Sequence, residues 1–236
     1  MRYKVVLLVA VVVLAGSLTA RASVISGPLG SSGWQVDGNA AGSLGVTVDG
    51  EGVDIYGKRF VAIQVFKVFA DPPDPQTNLL QSINLTFTQT AADNAMATRI
   101  YIADETITNW TGVAWWDFHW VLGTTDVARF NRELTNPTVT PNPNEPGWSI
   151  APFTTYAWSE GLNMETLSVA GGQVPHQTTC AIGLGSGNLI IDVDLGGQIP
   201  AIFTLKELPT IPEPASLMLI GCGGMALLWR RRAPKA

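Results

Sequence analysis

Apolar and polar residues alternate with a period of two through most of the central chain. Ile83, Leu85 and Phe87 are interleaved with Asn84, Thr86 and Thr88, which predicts a half-buried strand. Residues 60–69 are apolar on both sides apart from Gln64 and Lys67, the pattern of a central strand in a packed sheet. Residues 99–104 alternate around Ile100 and Ile102. Leu189, Ile191 and Val193 oppose Ile190, Asp192 and Asp194, and Ala201, Phe203 and Leu205 oppose Ile202, Thr204 and Lys206, which predicts the last strand of the domain. Asp37-Gly38, Asp49-Gly50, Gly171-Gly172 and Gly196-Gly197 punctuate these runs as turns. Helical periodicity is confined to a short alanine-rich stretch at 90–98, enough for one turn. Five prolines between 137 and 152 predict a long surface loop or extended polyproline segment within the domain. Many short strands separated by glycine turns predict an all-β fold, an antiparallel β-sandwich of jelly-roll type.

The two ends obey different patterns. Arg2 and Lys4 precede an uncharged run at 5–18, and Ala20 and Ala22 supply the small residues that signal peptidase reads, so residues 1–22 are expected to be a signal peptide cleaved after Ala22. At the other end, Pro212, Glu213 and Pro214 are followed by an uncharged stretch at 215–229 and then by Arg230, Arg231, Arg232 and Lys235. At about 1.5 Å per residue such a helix reaches about 22 Å, against a hydrocarbon core of about 30 Å. A short transmembrane helix at 215–229 is expected, extended by snorkelling arginine stems, with the basic tail 230–236 on the cytoplasmic side. Cys222 ends a Leu-Ile-Gly-Cys sequence, but a lipoprotein signal acts at the N-terminus, so Cys222 is read as a small apolar helix residue.

The order Pro-Glu-Pro, short glycine-containing apolar helix and arginine cluster resembles the PEP-CTERM sorting signal of Gram-negative bacteria, the proposed tag of exosortases. The resemblance places the signal in residues 211–236. It implies export, transient retention in the inner membrane, processing near Pro212, Glu213 and Pro214 by an exosortase-like enzyme, and release to the cell surface or exopolysaccharide matrix. Residues 109–123 also look like a recurring segment of exported domains that carry this signal, which implies a structural strand.

Composition sharpens this division. The whole chain has 14 Lys and Arg against 19 Asp and Glu, a net charge of −5. Between 23 and 210 the balance is 7 against 18, a net of −11. Such a domain lacks the clustered cations that neutralise phosphates, which excludes nucleic acid as a partner. Its acidity favours solubility and attracts cations such as Ca²⁺.

Candidate chemistry is sparse. Trp115, Asp117 and His119 are expected on one side of a strand whose other side, Trp116, Phe118, Trp120 and Leu122, is core. A ring, a carboxylate and an imidazole together suit sugar binding, which makes these three the candidate glycan site. Two histidines and two cysteines leave no His-rich zinc site, and no nucleophile elbow, Walker loop or His-Glu-x-x-His sequence occurs. Cys180 and His176 have a spacing compatible with a nucleophile pair. Asp192 with Asp194, and Asp71 with Asp74, are candidate Ca²⁺ ligands, although neither pair has the spacing of a dedicated calcium loop. Asn84 and Asn109 head glycosylation triplets. The expected protein is therefore a non-enzymatic exported domain without a cofactor, with a carbohydrate-binding module or a glycan-active enzyme as the alternative.

Overall fold

Each apolar alternation becomes a strand with one buried side, and two such sheets cover each other. The computed structural model describes residues 23–40, 43–92, 95–123, 126–139, 147–183, 187–193 and 201–211. The expected signal peptide, the Pro-Glu-Pro sequence, the apolar stretch 215–229, the basic tail, Asp194 and residues 140–146 of the proline-rich stretch lie outside them. In chain order the elements are β1 (Ser23–Pro28), β2 (Trp34–Ala40), β3 (Leu44–Val53), β4 (Arg59–Phe69), β5 (Ile83–Gln89), β6 (Arg99–Asn109), β7 (Trp115–Gly123), β8 (Ala128–Phe130) and α1 (Arg132–Thr135). There follow β9 (Pro137–Thr138), β10 (Trp148–Ser149), β11 (Thr155–Gly161), β12 (Met164–Val174), β13 (Thr178–Ile182), β14 (Leu189–Val193) and β15 (Ile202–Thr210).

One sheet has the order β1-β2-β5-β15-β7-β12-β11 and is antiparallel throughout. The facing sheet has the order β3-β4-β6-β14-β8, with β13 also paired to β6. Its β4 and β6 run parallel, because the chain between them crosses to the other sheet to form β5. The all-β sandwich is as expected, but this pairing departs from the wholly antiparallel pattern of a jelly roll. Reading only local alternation, one cannot see which strands become neighbours.

Phe87, Phe203, Phe118, Trp120 and Leu122 face Ile63, Val65, Ile102 and Ile191 across the interior, all of them buried. Aromatic packing is directional: the Phe87 and Phe203 rings stack at 4.8 Å, while Trp120 meets Trp148 edge-on at 5.0 Å. Such large side chains fill the space between sheets about 10 Å apart. The short α1 was not anticipated by periodicity. Asn131 caps it by accepting from the Leu134 amide at 3.0 Å, and Asn136 ends it in the left-handed region.

A bulge decides the inner face of β6. Ile63 pairs with Ile102 and Gln64 with Asp104, so Ala103 is an extra residue. Ile100 and Ile102 point inward before it, and Glu105, Ile107 and Asn109 after it. The shift buries a glutamate, and it also delivers Asn109 to the core, where β6 turns toward β7. The Asn109 amide donates to Val113 O at 2.8 Å and Val174 O at 2.9 Å, and its oxygen accepts from the Thr111 amide and hydroxyl. A fully enclosed Asn109 is therefore a structural amide rather than an exposed glycosylation acceptor.

Replacing Asn109 with alanine strands the Val174 carbonyl and the Thr111 amide, and leaves the Val113 carbonyl with the Thr111 hydroxyl alone. Asn109→Ala is expected to lower unfolding free energy by roughly 3 kcal/mol, since each unpaired buried group costs about 1–3 kcal/mol. Urea denaturation followed by tryptophan fluorescence measures it.

Candidate functional site

The outer side of the β15–β7–β12 ribbon collects the polar residues that alternation excludes from the core. Leu208 pairs with His119, and His119 with Ser168; two pairs further on, Thr210 pairs with Asp117, and Asp117 with Ala170. His119 Nδ1 lies 2.8 Å from Ser168 Oγ, and His119 Nε2 lies 3.6 Å from Asp117 Oδ1. Thr210 donates its hydroxyl to the same Asp117 oxygen. These polar contacts tie the end of the last strand to β7, and β7 in turn to β12.

Burial by itself would raise the Asp117 carboxyl, but His119 and the Thr210 hydroxyl and amide outweigh it and hold the group below the usual aspartate value. Beside these contacts lies a groove of about 490 Å³, lined by Asn78, Leu79, Leu80, Lys206, Leu208 and Ile211 among others. Its far wall is a turn organised by Asp74. That carboxylate accepts from the Gln76 and Thr77 amides and from the Thr77 hydroxyl, which lower its pKa.

The three candidate glycan-site residues do not converge. Asp117 and His119 share the outer face as expected. Trp115 is a correction: it is fully buried, its indole nitrogen donates to Thr111 Oγ1 at 3.1 Å and its ring meets Phe69 edge-on at 5.1 Å. Trp116, expected in the core, is half exposed. Strict alternation fails here because the β12 register shifts between Ala170 and Val174 where it pairs with Asp117 and Trp115.

Other candidate groups are engaged elsewhere. Asp192 accepts from Arg99 Nε at 2.5 Å and from Asn131 Nδ2 at 2.7 Å. Arg99 also reaches Asp54 Oδ2 at 2.6 Å, in an ion-pair network that joins β6, β14 and the β3–β4 turn, with Arg99 and Asp54 buried and Asp192 partly exposed. Among the described residues no three His, Cys, Asp or Glu side chains gather as a metal cluster would require. His176 accepts from the Gly112 amide at 3.0 Å and lies edge-on to Trp110. Cys180 projects into the interior near Lys67 and Glu105, where burial pushes its thiol up to about 11. The Cys180–His176 pair is thus not assembled, and a thiol held so high is a poor nucleophile.

Sequence reasoning missed Lys67, Glu105 and Glu207. All three are completely buried between the sheets. The available signal was phase: Lys67 is in register with Val65 and Phe69, and Glu207 with Phe203 and Leu205.

The described residues of the sandwich end at Ile211, one position past the last residue of β15. Residues 210–232 match the PEP-CTERM protein-sorting motif. The match bears out the resemblance read at 211–236 and implies export and processing by an exosortase-like enzyme. The PEP-CTERM motif covers the tail alone and begins on Thr210, the residue that closes onto Asp117. No curated protein and no solved structure matches the chain. Among the described residues no helix is long and apolar enough to cross a membrane, and the expected span at 215–229 lies outside them.

Asp117 sets an acid limit on how firmly the strand leading into the motif is held. Its folded-state pKa is depressed, so its contribution is present above the unfolded value of about 3.9 and is lost as pH falls through the folded value. Asp117→Asn is expected to cost roughly 1 kcal/mol or less at neutral pH, since the site is partly open to solvent, and to flatten the acid limb below about pH 4. Urea titrations across pH 2 to 7 compare the two proteins.

Proposed function

We propose that the sandwich is a non-enzymatic display domain. It is exported by a cleaved signal peptide, held transiently in the inner membrane through its apolar stretch 215–229, cut near Pro212, Glu213 and Pro214, and released to the cell surface or the exopolysaccharide matrix. One observation carries this reading: the sorting motif starts on the final residue of the last, interior strand, so the sandwich is the cargo and no linker separates it from its address. The acidic balance of residues 23–210 suits a soluble domain in an aqueous matrix. Arg99 is spent on Asp54 and Asp192, and the reading assigns no cofactor.

Mass spectrometry of the mature C-terminus from the extracellular fraction tests the sorting claim. The expected chain ends near Pro212, Glu213 and Pro214; an extracellular chain still ending in Ala236 would sink it.

A carbohydrate-binding reading keeps one favourable observation, the half-exposed Trp116, which precedes Asp117 in β7. A glycan array probed with the secreted protein, with and without Ca²⁺, is expected to stay blank. Retention abolished by Trp116→Ala would replace the display reading with a binding one.

A further inference from the structure

The interior holds one ammonium and two carboxylates from three strands. Lys67 comes from β4 and Glu105 from β6 in one sheet, while Glu207 comes from β15 in the other. None has any solvent exposure. Lys67 Nζ lies 3.1 Å from Glu105 Oε2 and is in direct contact with Glu207 Oε2. Trp120 donates its indole N–H to the same Glu105 oxygen at 2.9 Å, and the Phe118 ring lies 5.7 Å from the lysine nitrogen.

As an ion cluster this arrangement is poorly compensated. One cation faces two acids, and Glu105 Oε1 and both Glu207 carboxylate oxygens accept no hydrogen bond. Buried charges are ordinarily paired and hydrogen-bonded on every lone pair, because desolvation costs several kcal/mol per ion. Burial lowers the lysine pKa, against the pull of Glu105. Transfer of one proton from the ammonium to the touching Glu207 carboxylate would leave an uncharged amine beside a carboxylic acid, the form that a dry interior favours over two buried charges. Those are the reactants of amide formation.

We infer that Lys67 and Glu207 are the partners of an intramolecular isopeptide bond, with Glu105 as the proton shuttle. The Lys67 ammonium first gives a proton to the Glu207 carboxylate. The free amine then attacks Glu207 Cδ, forming the new C–N bond. Glu105 takes a proton from the attacking nitrogen and returns it to the departing hydroxyl as the C–O bond breaks, so water leaves and Glu105 is regenerated. Ammonium and carboxylate become amide and water; no oxidant, cofactor or activated donor is consumed. Fixed contact replaces the activation used elsewhere, since well-oriented intramolecular reactants reach effective molarities of about 10⁵–10⁸ M. Condensation also removes two of the three ionisable groups from a dry core and expels the water that would reverse it.

The bond would join opposite sheets. It would lie three residues before Thr210, where the sorting motif begins. Among the described residues Cys180 is a free thiol, so this link would be a covalent closure made without cysteine.

The intact mass of the full-length protein, purified under denaturing conditions with its termini assigned, decides the matter. The expected mass is lower than that of the linear chain by one water. Trypsin is then expected to release a branched product in which residues 60–99 are joined through Lys67 to the peptide beginning at Glu207. A mass equal to the linear chain, with residues 60–67 recovered as a free peptide, would overturn the proposal. Glu207→Gln should form the same bond with loss of ammonia instead of water, and survival of the glutamine would count against it. Glu105→Gln should retain the full linear mass; if it still condenses, the shuttle assignment fails. If that variant does not fold, the wild-type and Glu207→Gln masses still decide whether the bond exists.

Discussion

Lys67 between Glu105 and Glu207 is the constraint on which the rest of the sandwich depends. Hydrophobic side chains tolerate small shifts of one sheet over the other, because burial is roughly proportional to area and carries no direction. Three polar groups in a dry interior do not, since moving any one leaves a buried group without its partner at a cost of about 1–3 kcal/mol. The cluster thereby fixes β4, β6 and β15 in one mutual register. Its geometry in turn requires the Ala103 bulge, because uninterrupted alternation in β6 would bring Asp104 to the inner face and send Glu105 outward.

Much of this fold was legible as alternation. Ile83, Leu85 and Phe87 are all buried on β5, residues 60–69 fall within a central strand, and the last predicted strand coincides with most of β15. What alternation cannot reveal is where it breaks. Ala103 shifts the phase of β6, and the β12 irregularity opposite Asp117 sends Trp115 inward and Trp116 outward. Both breaks are set by a neighbouring strand distant in the sequence. The parallel pairing of β4 with β6 is illegible for the same reason, since it depends on β5 joining the opposite sheet.

Residue type misled most where it was read without phase. Asp117 and His119 stood out as chemistry and proved to be neighbours, yet their contacts with Thr210 and Ser168 fasten strands together. Lys67 looked like an interruption of an apolar run, whereas its position in phase with Val65 and Phe69 marked it as interior. The sorting motif was the most legible feature of all, because its three parts are contiguous and require no tertiary partner. Contiguity made the destination readable from local sequence; the cross-sheet cluster needed the fold.

The placement of that motif gives the central strand a mechanical meaning. β15 lies between β5 and β7 and is antiparallel to both, so a pull on its C-terminal end directed along the strand is resisted from both sides. Antiparallel hydrogen bonds stand perpendicular to their strands. Lengthwise tension therefore loads the bonds on both sides of β15 together, whereas an edge strand pulled from its end would peel open pair by pair. Asp117 holds the last residue, and the Glu207 contact to Lys67 lies on the inner side of the same strand, reaching the opposite sheet. The two attachments act on opposite faces of one short segment. The residue on which the sorting motif begins is thus held by a strand coupled to both layers of the sandwich.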